Sequence, residues 1–181
     1  NLGNCARELQ TVLTAARIYA VTYHVPAAVV FDPDPVDAQA RMSMVAYQPA
    51  KNADFLPVGG ADGDFDRFPE ETCLYPRDDE GDEEEAKDKH ILSLIDVDFG
   101  DKTAVPPTDD KVSLRAVVFE PTGRIRTGGT KELYRLRVAF TDEADPLQRY
   151  VDESQTEERM ITLVLHRSTG RSRIEEDQPD D

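Results

Sequence analysis

Three aspartates stand at alternate positions, Asp62, Asp64 and Asp66, behind Gly60 and around Gly63. Hard oxygen ligands at every second residue of a glycine turn are what a calcium loop uses. Glu70 and Glu71 follow and add further carboxylates. The EF-hand pattern is not met. Counted from Asp62, the position that should carry the bidentate glutamate is Cys73. The same residues also read as a solvated acidic loop, so calcium is a candidate ligand and no other cofactor is expected. The two cysteines, Cys5 and Cys73, are far apart in sequence. In an exported protein they could form one disulfide; the alternative is a helix thiol and a loop thiol that never meet. None of His24, His90 and His166 lies at zinc-ligand spacing from either cysteine.

Enzymatic machinery is not legible. The chain has no Gly-x-Ser-x-Gly elbow, no His-Glu-x-x-His and no glycine-rich phosphate loop. His24 reads as a residue at a helix C-terminus, His90 as the start of a strand and His166 as the end of one. Cys73 with any of these histidines would be a chance pairing. No catalytic residue is expected.

Charge narrows the partners. The formal net charge is −16 over 181 residues. Residues 54–101 hold 17 acidic and 4 basic side chains, a net −13, so the acidity belongs mainly to one segment. Phosphate backbones are bound by clustered Lys and Arg, so a nucleic-acid surface is not expected. The longest apolar run, 25–31, is far shorter than the ~20 residues of a bilayer span, and no signal peptide is evident. A domain cut just downstream of a membrane helix would look like this, and so would an ordinary processed domain.

The elements that must position these residues can be read from periodicity. Leu9, Val12, Leu13, Ala16 and Ala20 recur at helical spacing, with Arg7, Glu8, Gln10, Thr14 and Arg17 over much of the remaining surface. That predicts a helix over 4–22. Strands are expected at 27–32, 41–48, 90–97, 112–120, 133–140, 160–166 and 172–174, separated by Pro- and Gly-bearing turns. Between them, 49–89 reads as a long irregular insertion. Its run 78–85 carries seven carboxylates and one glycine, and such a block repels itself. Leu56, Val58, Phe65, Phe68, Leu74 and Tyr75 suggest that its flanks pack back on the body. The tail, 175–181, is acidic and expected to fray. Nothing alternates as βαβ. The expected fold is therefore one α+β domain over 1–181, with an N-terminal amphipathic helix packed on antiparallel sheet, arranged as two sheets.

Motif order adds a resemblance. Ala16 and Arg17 in the helix are followed by a short apolar strand, then by Phe119, Pro121 and Gly123 at a turn. A closing strand, 161–165, then leads into Thr169, Gly170 and Arg171. In this order and rough spacing the chain resembles the H-type minor pseudopilins of type II secretion systems and the related minor type IV pilins, over about 4–48 and 112–174. The resemblance implies a pilin-like fold and a structural role in a periplasmic filament that serves protein secretion. It also implies an inner-membrane helix before Asn1, with a Gly-Phe processing site and a methylated Phe. Other minor and major pseudopilins or pilins would be the partners. Major pseudopilins often bind calcium in a late loop, but Asp62, Asp64 and Asp66 do not map onto it. The long acidic insertion departs from the family pattern. Arg17 is open to three readings: solvent-facing, paired with a carboxylate, or in contact with a neighbouring subunit. The competing expectation for the whole chain is an exported module that holds calcium or a basic partner on its acidic segment.

Overall fold

The computed structural model describes residues 2–33, 40–49, 54–58, 66–67, 72–75, 91–140 and 160–175. The helix predicted over 4–22 is α1, Leu2–Tyr23. It ends on His24, whose φ of 56° is left-handed, and Pro26 follows. A left-handed residue just past the last turn terminates a helix, although glycine or asparagine usually takes the position.

Among the described residues eleven strands follow: β1 (Ala27–Pro33), β2 (Ala40–Gln48), β3 (Asp54–Pro57), β4 (Asp66–Arg67), β5 (Thr72–Tyr75), β6 (Ser93–Asp98), β7 (Lys111–Phe119), β8 (Ile125–Arg126), β9 (Leu133–Phe140), β10 (Met160–His166) and β11 (Ser172–Glu175). One sheet runs β1-β2-β3-β6-β7-β8, with β4 on β2, and β1 also pairs with β7. That last pairing closes β1, β2, β3, β6 and β7 into a five-stranded barrel. The second sheet is four-stranded and antiparallel, in the order β11-β10-β9-β5.

This overturns the expected α+β, pilin-like plan of an N-terminal helix packed on antiparallel sheet arranged as two sheets. The molecule is mainly β, a closed barrel with a second sheet. One barrel pair, β3 with β6, is parallel and meets at Phe55 and Val97. The physical reason lies in β1, which bonds along both edges and is covered on both faces. Ala27, Ala28, Val29 and Val30 are all inaccessible and Phe31 nearly so. On β7, Ala116, Val117, Val118 and Phe119 are likewise fully buried. Uninterrupted apolar runs of this kind mark strands covered on both sides. The segment expected to be irregular, 49–89, supplies β3, β4 and β5.

Alternation sorts the barrel residues into two cores. Ala28, Val30, Val45, Phe55, Ile95, Val97, Leu114, Ala116 and Val118 form one cluster, the barrel interior. The residues between them, including Ala27, Val29, Phe31, Met42, Ala46, Val117 and Phe119, join the other. There they meet Tyr134, Leu136 and Val138 of β9, Leu163 and Leu165 of β10, and the helix residues Cys5, Ala6, Leu9, Leu13, Ala16 and Ala20. So α1 is a shared wall between barrel and second sheet. The small side chains of Ala6, Ala16 and Ala20 allow its close approach. At ~25 cal/mol per Å2, this common apolar face is the main force joining the two sheets.

Candidate functional site

The helix side chains Gln10 and Arg17 stand seven residues apart and so share a stripe. Both reach the β10–β11 hairpin. Gln10 Nε2 donates to the Ser172 carbonyl at 3.1 Å. Arg17 Nε donates to the Thr169 carbonyl at 2.6 Å. Arg17 thus grips a backbone oxygen of the hairpin turn.

Around its guanidinium two turns are pressed together. One is 120–124, closed by Gly123 N–H to Glu120 O at 2.8 Å and Glu120 N–H to Arg124 O at 2.7 Å. The other is 166–171, closed by Gly170 N–H to His166 O at 2.8 Å and His166 N–H to Arg171 O at 2.9 Å. Gly123 and Gly170 have φ of 85° and 70°, which glycine adopts without strain. A Cβ on Gly123 would stand 3.4 Å from Arg17 Nε and Nη2 and from Val21 Cγ2. A Cβ on Gly170 would stand 2.0 Å from the Gly123 carbonyl oxygen and 3.1 Å from Arg17 Cδ and Phe119 Cδ1. Only glycine fits there.

Hydrogen bonds knit this node to both sheets. Ile125 of β8 donates its N–H to Arg167 O at 2.8 Å, and Arg167 donates its own to Glu132 O at 2.8 Å. The Glu132 carboxylate accepts from Ser168 Oγ at 2.5 Å and Ser168 N at 3.2 Å. Those bonds, the hydroxyl first, hold its pKa below the ordinary carboxylate value. Arg126 Nε pairs with Glu120 Oε1 at 2.6 Å.

A second polar constellation lies at the other end of β7. Asp98 is 1% exposed. Its Oδ1 accepts the N–H groups of Gly100 at 2.8 Å and Asp110 at 2.9 Å. Its Oδ2 takes no well-angled hydrogen bond and is neutralised by the Lys102 ammonium at 2.5 Å. Lys102 Nζ also reaches Asp109 Oδ1 at 2.5 Å and the Thr108 carbonyl at 3.0 Å. Burial alone would raise the Asp98 pKa. The Asp110 N–H, Lys102 and the Gly100 N–H together outweigh it and bring it down to about 2. Three oxygens surround one positive charge, about half of the roughly six to eight that a hard cation such as calcium takes. Here the protein's own lysine supplies the charge.

Of the residues singled out in sequence, Asp62, Asp64 and His90 lie outside the described residues. Asp66 is in β4, its backbone opposite Met42, with its side chain outside the described set. Cys5 is fully buried on α1, and Cys73 stands in β5 opposite Ala139. The side chain of Cys73, and hence any pairing with Cys5, also lies outside that set. His24 caps α1 and is exposed, whereas His166 closes the β10 hairpin. Among the described residues no group of three or more His, Cys, Asp or Glu is placed to hold a metal ion. No helix among them is long and apolar enough to cross a membrane.

Sequence reasoning missed both the bond from Arg17 to Thr169 O and the lysine-centred loop. The signal for the first was present: Gly123 and Gly170 are each followed by arginine in a turn, and Gln10 and Arg17 share a helix stripe. Compared with known proteins, the chain matches no family model, no curated protein and no solved structure.

Proposed function

We propose that this chain works by assembly, as a structural subunit of a periplasmic type II secretion pseudopilus or a related pilus-like filament. Other minor and major pseudopilins or pilins would be its partners, and a membrane helix continuous with α1 its attachment. One observation carries the reading. The motifs behind the resemblance, Ala16-Arg17, Pro121 to Gly123 and Thr169 to Arg171, meet at one place. Arg17 bonds Thr169 O, and both glycines close against it. The closed barrel is not the sheet plan that the resemblance implied, so the reading rests on the node and not on the fold. Mechanically the node suits a filament subunit. It fixes the rotation of α1 against both sheets, so that the pose of the helix sets the pose of the whole head. No chemical step is assigned to the chain.

The test is genetic and chemical. Deleting the gene in its host should impair type II secretion or piliation, and the wild-type gene should restore it. Mass spectrometry of the mature natural protein should find a methylated Phe at its N-terminus. Unimpaired secretion and piliation in the deletion strain, or an ordinary signal-peptide scar at the N-terminus, would sink the proposal.

A further inference from the structure

Two polar atoms are buried without a hydrogen-bond partner on the α1-facing side of the second sheet. Tyr134 is 2% exposed, and its Oη meets no donor or acceptor. Arg167 Nε is equally shut from solvent and donates to nothing. The register brings the two together. Tyr134 of β9 stands opposite Leu165 of β10, and both belong to the core beneath α1. The bond from the Arg167 N–H to Glu132 O, 2.8 Å, carries the ladder one step further. Arg167, two residues after Leu165, therefore shares that face and is diagonal to Tyr134. Such neighbours are about 7–8 Å apart, within reach of aromatic and long side chains. The buried Gly129 carbonyl lies beside the same guanidinium, whose Nη1 donates to it only at 3.5 Å.

We infer that Tyr134 Oη, Arg167 Nε and Gly129 O hold one internal water molecule in common. The donor set selects it. The Nε–H group only donates, so the occupant must accept. A carbonyl only accepts, so the occupant must also donate. The tyrosine hydroxyl does either. A water meets all three at once, and about three partners is what buried waters have. A halide cannot donate to Gly129 O. The guanidinium does not call for an anion either, because the Glu132 carboxylate, bonded first by Ser168, also feels the Arg167 charge. A buried hydroxyl or guanidinium N–H left unpaired costs stability, and native interiors rarely leave one so. The water pins the loop before β9 to the end of β10, next to the turn that Arg17 grips. The inference goes beyond the assembly reading and does not depend on it.

A crystal structure of the 181-residue chain that resolves ordered water tests it directly. One density peak should stand ~2.7–3.2 Å from Tyr134 Oη, Arg167 Nε and Gly129 O alike. No peak there, or a peak that fails to reach all three, overturns the inference. Tyr134→Phe keeps the ring and removes only the hydroxyl. With the hydroxyl bonded to water, its loss should lower Tm by about 2–4 °C. A Tm that is unchanged or raised would mean a dry, unpaired hydroxyl and would overturn the inference. Arg167→Met keeps an unbranched stem without Nε. Both variants break one shared water, so the double variant should fall by less than the sum of the two single shifts. Additive shifts would place the two atoms at separate sites and overturn it. The Tyr134→Phe difference should stay the same when chloride is exchanged for a larger anion at constant ionic strength. A difference that follows chloride would put an anion there in place of water.

Discussion

At the end of β7 two turns are packed so closely that a single added methyl group would strike backbone, whereas at its start a loop is wrapped around a buried carboxylate and a lysine. The first region is held by steric fit, with the Arg17 bond to Thr169 O, the Ser168 bonds to Glu132 and the Arg126–Glu120 pair around it. The second is close-packed as well, since a Cβ on Gly100 would stand 2.1 Å from the Thr108 carbonyl oxygen, and it adds a buried ion pair. Steric fit does not respond to pH, but an ion pair does. The same strand therefore ends in two loops that should fail under different conditions, and substitutions can separate them.

The largest effect is expected at the steric end. In Gly170→Ala the new Cβ would stand 2.0 Å from the Gly123 carbonyl oxygen, at a φ of 70°. The left-handed conformation costs about 1 kcal/mol for an L-residue, and forced overpacking about 1–3 kcal/mol more. A loss of roughly 3 kcal/mol should appear in urea unfolding at pH 7. Gly123→Ala meets nothing closer than 3.4 Å and should cost about 1 kcal/mol, close to the backbone term alone. Equal losses at the two positions would show that the turns are not pressed together.

Asp98→Asn comes next. The folded pKa of Asp98 is depressed from 3.8 to about 2. A depressed carboxylate stabilises the fold above its unfolded pKa and loses that contribution as pH falls through the folded value. The contribution is no more than about 2 kcal/mol, since water near the loop screens the charges. Wild type should exceed Asp98→Asn by about that amount at pH 6. The gap should narrow between about pH 4 and pH 2. A gap independent of pH would mean that the carboxylate acts by shape and not by charge.

These contrasts also explain what could be read from the residues. The helix over 4–22 announced itself because Leu9, Leu13, Ala16 and Ala20 recur with one period, and local pattern is enough to specify a helix. Strand positions at β1, β2, β7, β9, β10 and β11 were legible for the same reason. Barrel closure was not. It depends on Val29 facing Met44 on one side and Val117 on the other, partners far apart in the chain. No local period encodes such a pairing. The apolar runs 27–31 and 116–119 were the available signal for strands covered on both faces. The candidate site was legible as motifs in order, while their meeting at Arg17 needed the fold. The lysine-centred loop was not legible at all, because Asp98, Lys102 and Asp109 follow no ligand pattern.

Arg17 itself sharpens the comparison at smaller magnitude. Its bond to Thr169 O is short but partly solvated, so Arg17→Ala should cost about 1 kcal/mol. Arg17→Lys should recover little of that, because an ammonium lacks the planar guanidinium whose Nε and Nη2 lie against Gly123. The two ends lie about 30 Å apart along β7, beyond the range of direct coupling. A double variant of Arg17→Ala with Asp98→Asn should therefore lose the sum of the single losses within about 0.5 kcal/mol. A larger deviation would mean that β7 transmits strain from one end to the other.

The smallest expected effect is a gain. His24 follows the last turn of α1 and holds a φ of 56° that glycine adopts freely. Its imidazole is exposed. His24→Gly removes the left-handed strain in the folded chain and adds freedom to the unfolded one, two terms of opposite sign. The strain is about 1–2 kcal/mol, and the added freedom offsets about 0.4–1 kcal/mol of it. A net gain of about 0.5 kcal/mol is expected, seen as a small rise in Tm. His24→Ala keeps the strain and should not rise. The gain should persist unchanged in Arg17→Ala, because the cap acts through its own backbone and not through the node. If it vanishes in that background, the end of α1 and the two glycine turns form one cooperative unit, and the steric region reaches further along the helix than Arg17.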